Sequence, residues 1–513
     1  MWTCHTFIPE NRRFSLMELI WLIIGFVSLG IFVKYRPKSY ESMLIPRTEA
    51  IRLARERIFE LAGVDVSTWK AYAMYWHDRN TISRLHQLNK LDTLRKTLFN
   101  WGLVESWRIR FISLNNSIII GLNARGEVTF LNVTVRDNRH YTGEKQEKSI
   151  GDIKRTLTQK DSIFWKDAKI IGQGQRTEDL SNIDTYWYLV EGQDLRMKIS
   201  VQVSQGRIIN ILSDTEIKTS NIQQVVKKEF RETALNLSGF IGALGATIAG
   251  VLSLIYTDAS IGSTISVLLA AIIVFAVFLT STDDVKMGIV NAYDSRLTIK
   301  SVYIIGYLSA LMAGLAYSCV VFVTSLAGFN LASLEQIPLF RNQVSQITYG
   351  VSIGLICLGL FSLLFRILEN KGLVRISPEL SERSLFLSGF KYRQSISMSI
   401  QSSLMEELIF RLLGVSLFIW LFGHDLMAIL LTSVLWAFLH QGSGYNPSVY
   451  RWSQLVIFGI ILGYAYLHVG FLTVLTAHFV HNFILTSLPL FSYKIQIKEG
   501  KYFQKIEKDI TLN

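Results

Sequence analysis

From residue 235 to residue 492 the chain consists of long apolar runs with few charges between them. About 20 apolar residues in a helix cross the hydrocarbon of a bilayer. A spanning segment must also satisfy its own backbone hydrogen bonds, which leaves helix as the form such runs can take. Eight candidate spans fall in this half, near 235–257, 262–281, 301–325, 345–366, 396–422, 426–441, 453–468 and 470–491. A ninth lies near 15–34 and continues into KYRPKSYE rather than a small-residue cleavage site, so it reads as an uncleaved anchor. The spans at 426–441 and 453–468 are short, which is tolerated where protein surrounds them. Composition agrees, since 50% of the 513 residues are hydrophobic and 18% are charged, against about a quarter charged in ordinary globular chains. The expected fold is an all-α polytopic membrane protein of about nine transmembrane helices with an inserted α+β soluble domain.

Loop charges orient this arrangement. With nine spans, the loops on one face hold ten lysines and arginines, Lys286, Arg296, Lys300, Arg366, Lys371, Arg375, Arg383, Lys391, Arg393 and Arg451. The tail adds Lys494, Lys498, Lys501, Lys505 and Lys508, while the opposite face receives Arg12, Arg13 and Arg341. The positive-inside rule then puts the insert and the C-terminus in the cytoplasm and the N-terminus outside. It also accounts for the +12 net charge without a nucleic-acid partner. Cys4, Cys319 and Cys357 are too scattered for a disulfide framework or a zinc-finger spacing.

The segments divide as an anchor at 1–36, a soluble insert at 37–233, accessory membrane helices at 234–394, a membrane core at 395–492 and a basic tail at 493–513. In the insert, Thr48 is placed to cap a helix through EAIRLARERIFELAG that ends at Gly63. Alternating strands follow, WRIRFISL, NSIIIGLN and, after Arg125-Gly126, EVTFLNVTV. A second round comprises DTYWYLV, LRMKISVQV and, after Gln205-Gly206, RIINILSD. The doubled pattern resembles the tandem PepSY-like modules attached to some bacterial membrane proteins. His86 and His140 stand alone and are expected to be surface residues. The insert offers no active-site pattern and is expected to hold a partner or ligand.

The core carries polar groups that a bilayer resists. Glu406, Glu407 and Arg411 sit within six residues of one apolar span, where each buried charge costs from a few to more than ten kcal/mol. Such groups need one another, a bundle interior or a water-filled cavity. On a helix, Glu407 and Arg411 share a face and can pair, while Glu406 points about 100° away and is left for chemistry. His478 and Asn482 are four apart and share a face, as do Trp436 and His440. His481 points elsewhere. His424-Asp425 falls in an outer turn and His468 at a span end, where both are expected to be ordinary interfacial groups.

These residues resemble the signature of the CAAX-prenyl-protease and bacteriocin-processing (CPBP, or Abi) family of intramembrane proteases. Its Glu-Glu-x-x-x-Arg motif is matched by Glu406, Glu407 and Arg411. Its aromatic-x-x-x-His motif, usually with Phe, is matched by Trp436 and His440, and its His-x-x-x-Asn motif by His478 and Asn482. The resemblance covers 395–491 and implies an intramembrane endopeptidase acting on a membrane-associated or prenylated-type peptide or protein. Peptide hydrolysis needs an activated water and a stabilised oxyanion. Glu406 is the expected general base, His440 holds the water or shuttles its proton, and His478 and Asn482 donate to the oxyanion. Glu407 and Arg411 form the supporting pair. No cofactor is required on this reading, although Glu406, His440 and His478 could also ligate zinc. The alternative is a non-catalytic scaffold or a bacteriocin-immunity-type protein that keeps the protease core. A transporter is disfavoured by the lack of an inverted repeat with broken helices. The expected location is a bacterial cytoplasmic membrane.

Overall fold

The computed structural model describes residues 15–36, 45–135, 155–157, 162–178, 181–218, 221–255, 263–340, 342–377, 391–440 and 444–498. Cys4, Arg12, Arg13, His140, Arg341, Arg383, Lys501, Lys505 and Lys508 lie outside the described residues.

The first helix, α1 (Leu16–Tyr35), starts at a capping box in which Ser15 Oγ accepts from the Glu18 amide and Glu18 accepts from the Ser15 amide. The insert opens with α2 (Arg47–Ala62), which ends at Gly63 in the left-handed conformation at φ +67°. Thr48 does not cap it. Pro46 starts the helix two residues earlier with its ring-locked φ, so Thr48 falls inside the first turn.

Eight antiparallel strands then form a single sheet: β1 (Lys70–Trp76), β2 (Ser106–Ser113), β3 (Asn116–Leu122), β4 (Val128–Thr134), β5 (Lys169–Glu178), β6 (Ser181–Glu191), β7 (Leu195–Ser204) and β8 (Arg207–Ile217). Their order is β1-β2-β3-β4-β8-β7-β6-β5. Two four-stranded meanders thus join where Leu131 and Asn132 face Ile211 and Asn210. Each half contains one more strand than the sequence patterns marked, β1 and β5. The Gln205-Gly206 turn takes positive φ at both residues, +52° and +73°, as a tight hairpin matching strand twist requires. Two helices, α3 (Arg79–Gln87) and α4 (Leu91–Asn100), lie between β1 and β2. In β7 burial alternates, with Leu195, Met197, Ile199, Val201 and Val203 inside. β2 and β3 are buried on both faces. On one face Ile109, Phe111, Ile118 and Ile120 join the insert's core. On the other, Tyr72 and Ile112 pack against Val285, Ile289 and Tyr293 at the end of a membrane helix.

Helix occupies every one of the nine apolar segments, and the protein is mostly helical. After α1 come α5 (Ile222–Ser253), α6 (Ser263–Ala292), α7 (Ile299–Leu334), α8 (Gln343–Asn370), α9 (Tyr392–Glu406), α10 (Ser416–Phe422), α11 (Asp425–Phe438), α12 (Val449–His468) and α13 (Phe471–Lys498). Among the described residues six helices are long and apolar enough to cross a membrane: α1, α5, α6, α7, α8 and the Phe471–Leu488 part of α13. α11 is apolar but shorter, and α9 and α10 are separated by a π-helical stretch, Glu407–Val415. Glycines bring α8 onto α13. A Cβ at Gly354 would come 2.5 Å from the Ala477 carbonyl, and one at Gly350 2.7 Å from that of Thr473. This small-x-x-x-small spacing lets two membrane helices touch backbone to backbone, and it holds the helix bearing His478 against the core.

The insert is tied to the membrane half at defined points. Asn446, in the connection that follows His440, donates to the carbonyls of His86 (3.1 Å) and Gln87 (3.2 Å) and to Asn89 Oδ1 (3.0 Å). Tyr445 and Asn446 also pair in a two-residue ladder with Arg375 and Ile376. His86 is therefore not a surface residue. It is 5% exposed at the end of α3, because the connection from the membrane core lies over that turn.

Candidate active site

The polar residues of the core meet where the helix Tyr392–Phe422 changes to π geometry. Glu406 is the last residue of α9, and Glu407 and Arg411 lie in the π stretch. A π turn bonds i to i+5 and is found disproportionately at functional sites. Arg411 Nη1 donates to Glu407 Oε1 at 3.0 Å, and both side chains are essentially sealed from solvent. The guanidinium also lies 4.5 Å over the Trp436 ring, a favourable cation–π geometry.

His478, from α13, joins both carboxylates. Its Nδ1 is 2.6 Å from Glu407 Oε1, and its Nε2 is 3.8 Å from Glu406 Oε2. His478 thus stands between the Glu407–Arg411 pair and Glu406, hydrogen-bonded to the first and facing the second. His440, at the end of α11, reaches the same oxygen, its Nε2 lying 3.4 Å from Glu406 Oε2. Its Nδ1 is 2.9 Å from the Trp436 carbonyl. A carbonyl can only accept, so Nδ1 carries a proton. Trp436 Nε1 donates to Glu406 Oε2 at 2.5 Å.

Among the described residues these hydrogen-bond and ion-pair contacts of Glu406 fall on Oε2, and Oε1 has no hydrogen bond. Glu406 is 20% exposed and His440 31% exposed, whereas Glu407, Arg411 and His478 are closed off. The site opens on the Glu406–His440 side and is anchored on the Glu407–Arg411 side. Phe458, from α12, forms its floor, edge-on to Trp436 and His478 at 5.9 and 6.1 Å and tilted on His481 at 4.8 Å. His481 is buried against that ring, away from the carboxylates. His424 precedes α11 as its N-cap, and His468 ends α12 against Tyr464. Neither joins the hydrogen bonds or ion pairs of the cluster among the described residues.

Asn482 lies one turn beyond His478, and its Nδ2 donates to Ser402 Oγ at 2.8 Å. A further turn along, Ser395 and Thr486 hydroxyls meet at 2.5 Å. Glu407–His478, Ser402–Asn482 and Ser395–Thr486 are successive rungs between two antiparallel helices. Ser395, Ser402 and Thr486 were not singled out from the sequence, although the serine-rich run SISMSIQSS beside an Asn/Thr pair four apart is the signal for such a ladder. The Trp436 N–H was also missed, because an aromatic at that position reads as a wall rather than a donor.

Among the described residues, no group of three His, Cys, Asp or Glu side chains is placed to hold a metal ion. Both imidazole Nε2 atoms converge on one carboxylate oxygen rather than on a point between ligands.

Residues 389–484 match the family model for type II CAAX prenyl endopeptidase Rce1-like proteins. The chain is also 40% identical over 482 residues to the sporulation-killing factor biosynthesis protein SkfC of Bacillus subtilis (strain 168), covering 94% of this chain and 97% of that protein. No solved structure matches it. With that relative spanning nearly its whole length and the Rce1-like match falling on the polar cluster, the chain is an integral membrane protein that belongs to the CPBP family.

Proposed function

We propose that the protein is an intramembrane endopeptidase that hydrolyses a peptide bond with a water activated by Glu406. The observation that carries this reading is the convergence of Trp436 Nε1, His440 Nε2 and His478 Nε2 on Glu406 Oε2, with Oε1 left free on the open side. Oε1 takes a proton from the water as its oxygen attacks the substrate carbonyl carbon. His440 orients that water and relays the proton to the amine that leaves when the C–N bond breaks. Glu407, held by Arg411, fixes the ring of His478 at the rear of the site. His478 and the second amide N–H of Asn482 stabilise the oxyanion. The mechanism uses no metal. Support for this comes from the donor arrangement, in which both imidazoles aim at a carboxylate oxygen already occupied by an indole N–H.

We further propose nine membrane crossings, with the insert and the tail in the cytoplasm of a bacterial cell. The connections after α6 and α11 and the Arg375–Ile376 strand are assigned by loop charge to the insert's side. Support comes from contacts of Val290 and Asn446 with the insert and from the pairing of Asn446 with Arg375. The relative's name ties that protein to biosynthesis of a killing factor. Carried to this chain, it favours maturation of such a factor over cleavage of prenylated tails.

The test is to express Glu406→Gln, Glu407→Gln, His440→Ala and His478→Ala at wild-type level and to compare membrane-peptide processing by mass spectrometry. Loss of the same products in all four is expected. Unchanged products in all four would sink the protease in favour of a scaffold. Processing by purified protein should survive a strong zinc chelator. Loss that added zinc restores would replace the metal-free mechanism.

A further inference from the structure

A second polar cavity lies outside the membrane core, between the insert's sheet and the turn that joins α6 to α7. It measures about 580 Å³ and is walled by Arg110, Ser117, Asn132 and Thr134 on one side and by Asn291 and Arg296 on the other. That is the size range of small-molecule sites. Arg110 is 9% exposed. Its Nε donates to the Val290 carbonyl at 3.1 Å and its Nη1 to Ser117 Oγ at 2.8 Å. Both acceptors are neutral, and no ion-pair partner stands against Arg110 among the described residues.

The acidic residue in the wall, Asp294, is committed to Arg296 at 2.5 Å. Two residues along the same face of β2, Arg108 is sandwiched between the rings of Trp76 (4.2 Å) and Phe130 (4.1 Å), and Phe130 borders the cavity. Burial lowers the pKa of both guanidiniums, that of Arg108 to about 9, with Asp78 acting against this at Arg108 and Tyr293 at Arg110. A buried charge without a counter-charge is a standing cost, and a guanidinium fork matches carboxylate and phosphate oxygens. The cavity supplies the volume for a ligand with the missing charge, and its Ser, Asn and Thr side chains supply further donors.

Position decides between sources of that anion. The apolar run of α6 ends near residue 281, and the cavity begins at residue 291. Ten helical residues span roughly 15 Å, while the headgroup layer adds only about 5–8 Å beyond the hydrocarbon. We propose that this cavity binds a phosphate- or carboxylate-bearing small molecule from the aqueous phase, with Arg110 as its anchor. The site is independent of the proteolytic reading.

The test uses the full chain in neutral detergent and follows thermal unfolding while inorganic phosphate or succinate replaces chloride at constant ionic strength. At least one anion is expected to raise the midpoint by a few degrees in a saturable way, as ligand linkage requires. The rise should vanish in Arg110→Gln. It should also vanish in Asn132→Asp, which puts a carboxylate into the cavity without removing a buried group and so guards against a variant that merely misfolds. No saturable rise with either anion, or a rise that survives both substitutions, overturns the site. In nanodiscs without added phosphate, neutral and anionic lipid should give equal midpoints. An Arg110-dependent rise with anionic lipid would overturn the aqueous source.

Discussion

Two of the buried arginines differ in what answers their charge. Arg411, in the membrane core, has the Glu407 carboxylate at 3.0 Å and the face of Trp436 at 4.5 Å. Arg110, under the insert, has a carbonyl and a hydroxyl. In the core each charged group is locked to the next, from Arg411 through Glu407 and His478 toward Glu406. Among the described residues Glu406 Oε1 makes no hydrogen bond, and Glu406 is the partly exposed end of that chain of contacts. Under the insert the charge itself is left open beside a cavity. On the proposed readings the core holds a reacting group still, and the insert interface receives an anion from outside.

Four substitutions break or sharpen that contrast, beginning with the largest effect. Glu406→Gln removes the proposed base and should lower proteolysis by about 10²–10⁴-fold while the thermal midpoint stays near wild type. A comparable loss of stability would show that Glu406 belongs to the locked side instead. Glu407→Ala strands Arg411 and should cost about 3–5 kcal/mol, as removal of one partner of a buried pair does. Unfolding in detergent measures it, and Glu407→Ala with Arg411→Leu together should recover much of the loss without recovering activity. Trp436→Phe keeps the ring and deletes the donor to Glu406, at about 1–1.5 kcal/mol for one hydrogen bond. Turnover should fall about tenfold with substrate KM little changed, and an unaltered turnover would reduce Trp436 to a wall. Asn446→Ala cuts the insert from the connection that follows His440. A few-fold fall in turnover is expected, and hydrogen exchange should quicken in residues 444–448. Unchanged exchange there would mean the ladder with Arg375 and Ile376 orders the connection without the insert.

Much of this molecule could be read before any coordinates. Apolar length located helix in all nine segments, because a bilayer leaves a long apolar run few alternatives. Period-two alternation marked six of the eight strands and both x-Gly turns. β1 and β5 escaped because KAYAMYW and KIIGQGQRTE mix small, polar and aromatic residues without a clean alternation. The six polar residues of the core were also visible, since each is an anomaly against its apolar surroundings. Their connectivity was not. An ideal α-helix puts Glu406 and Glu407 on different faces, yet His478 hydrogen-bonds Glu407 through Nδ1 and turns Nε2 toward Glu406.

What the sequence by itself determined is the inventory: apolar segments that must be helices, an insert that alternates as a sheet, and titratable groups too costly to leave unpartnered in a membrane. These follow from local energetics, the transfer cost of a side chain or a peptide group, which depends on residue type and spacing. Tertiary structure decided which partner each group received. The indole donor to Glu406, the hold of Arg110 on the Val290 carbonyl and the grip of Asn446 on α3 arise between segments 30 to 360 residues apart. Hydrogen bonds and ion pairs act over a few ångströms, so who answers whom is settled only when helix packing brings distant segments within that reach.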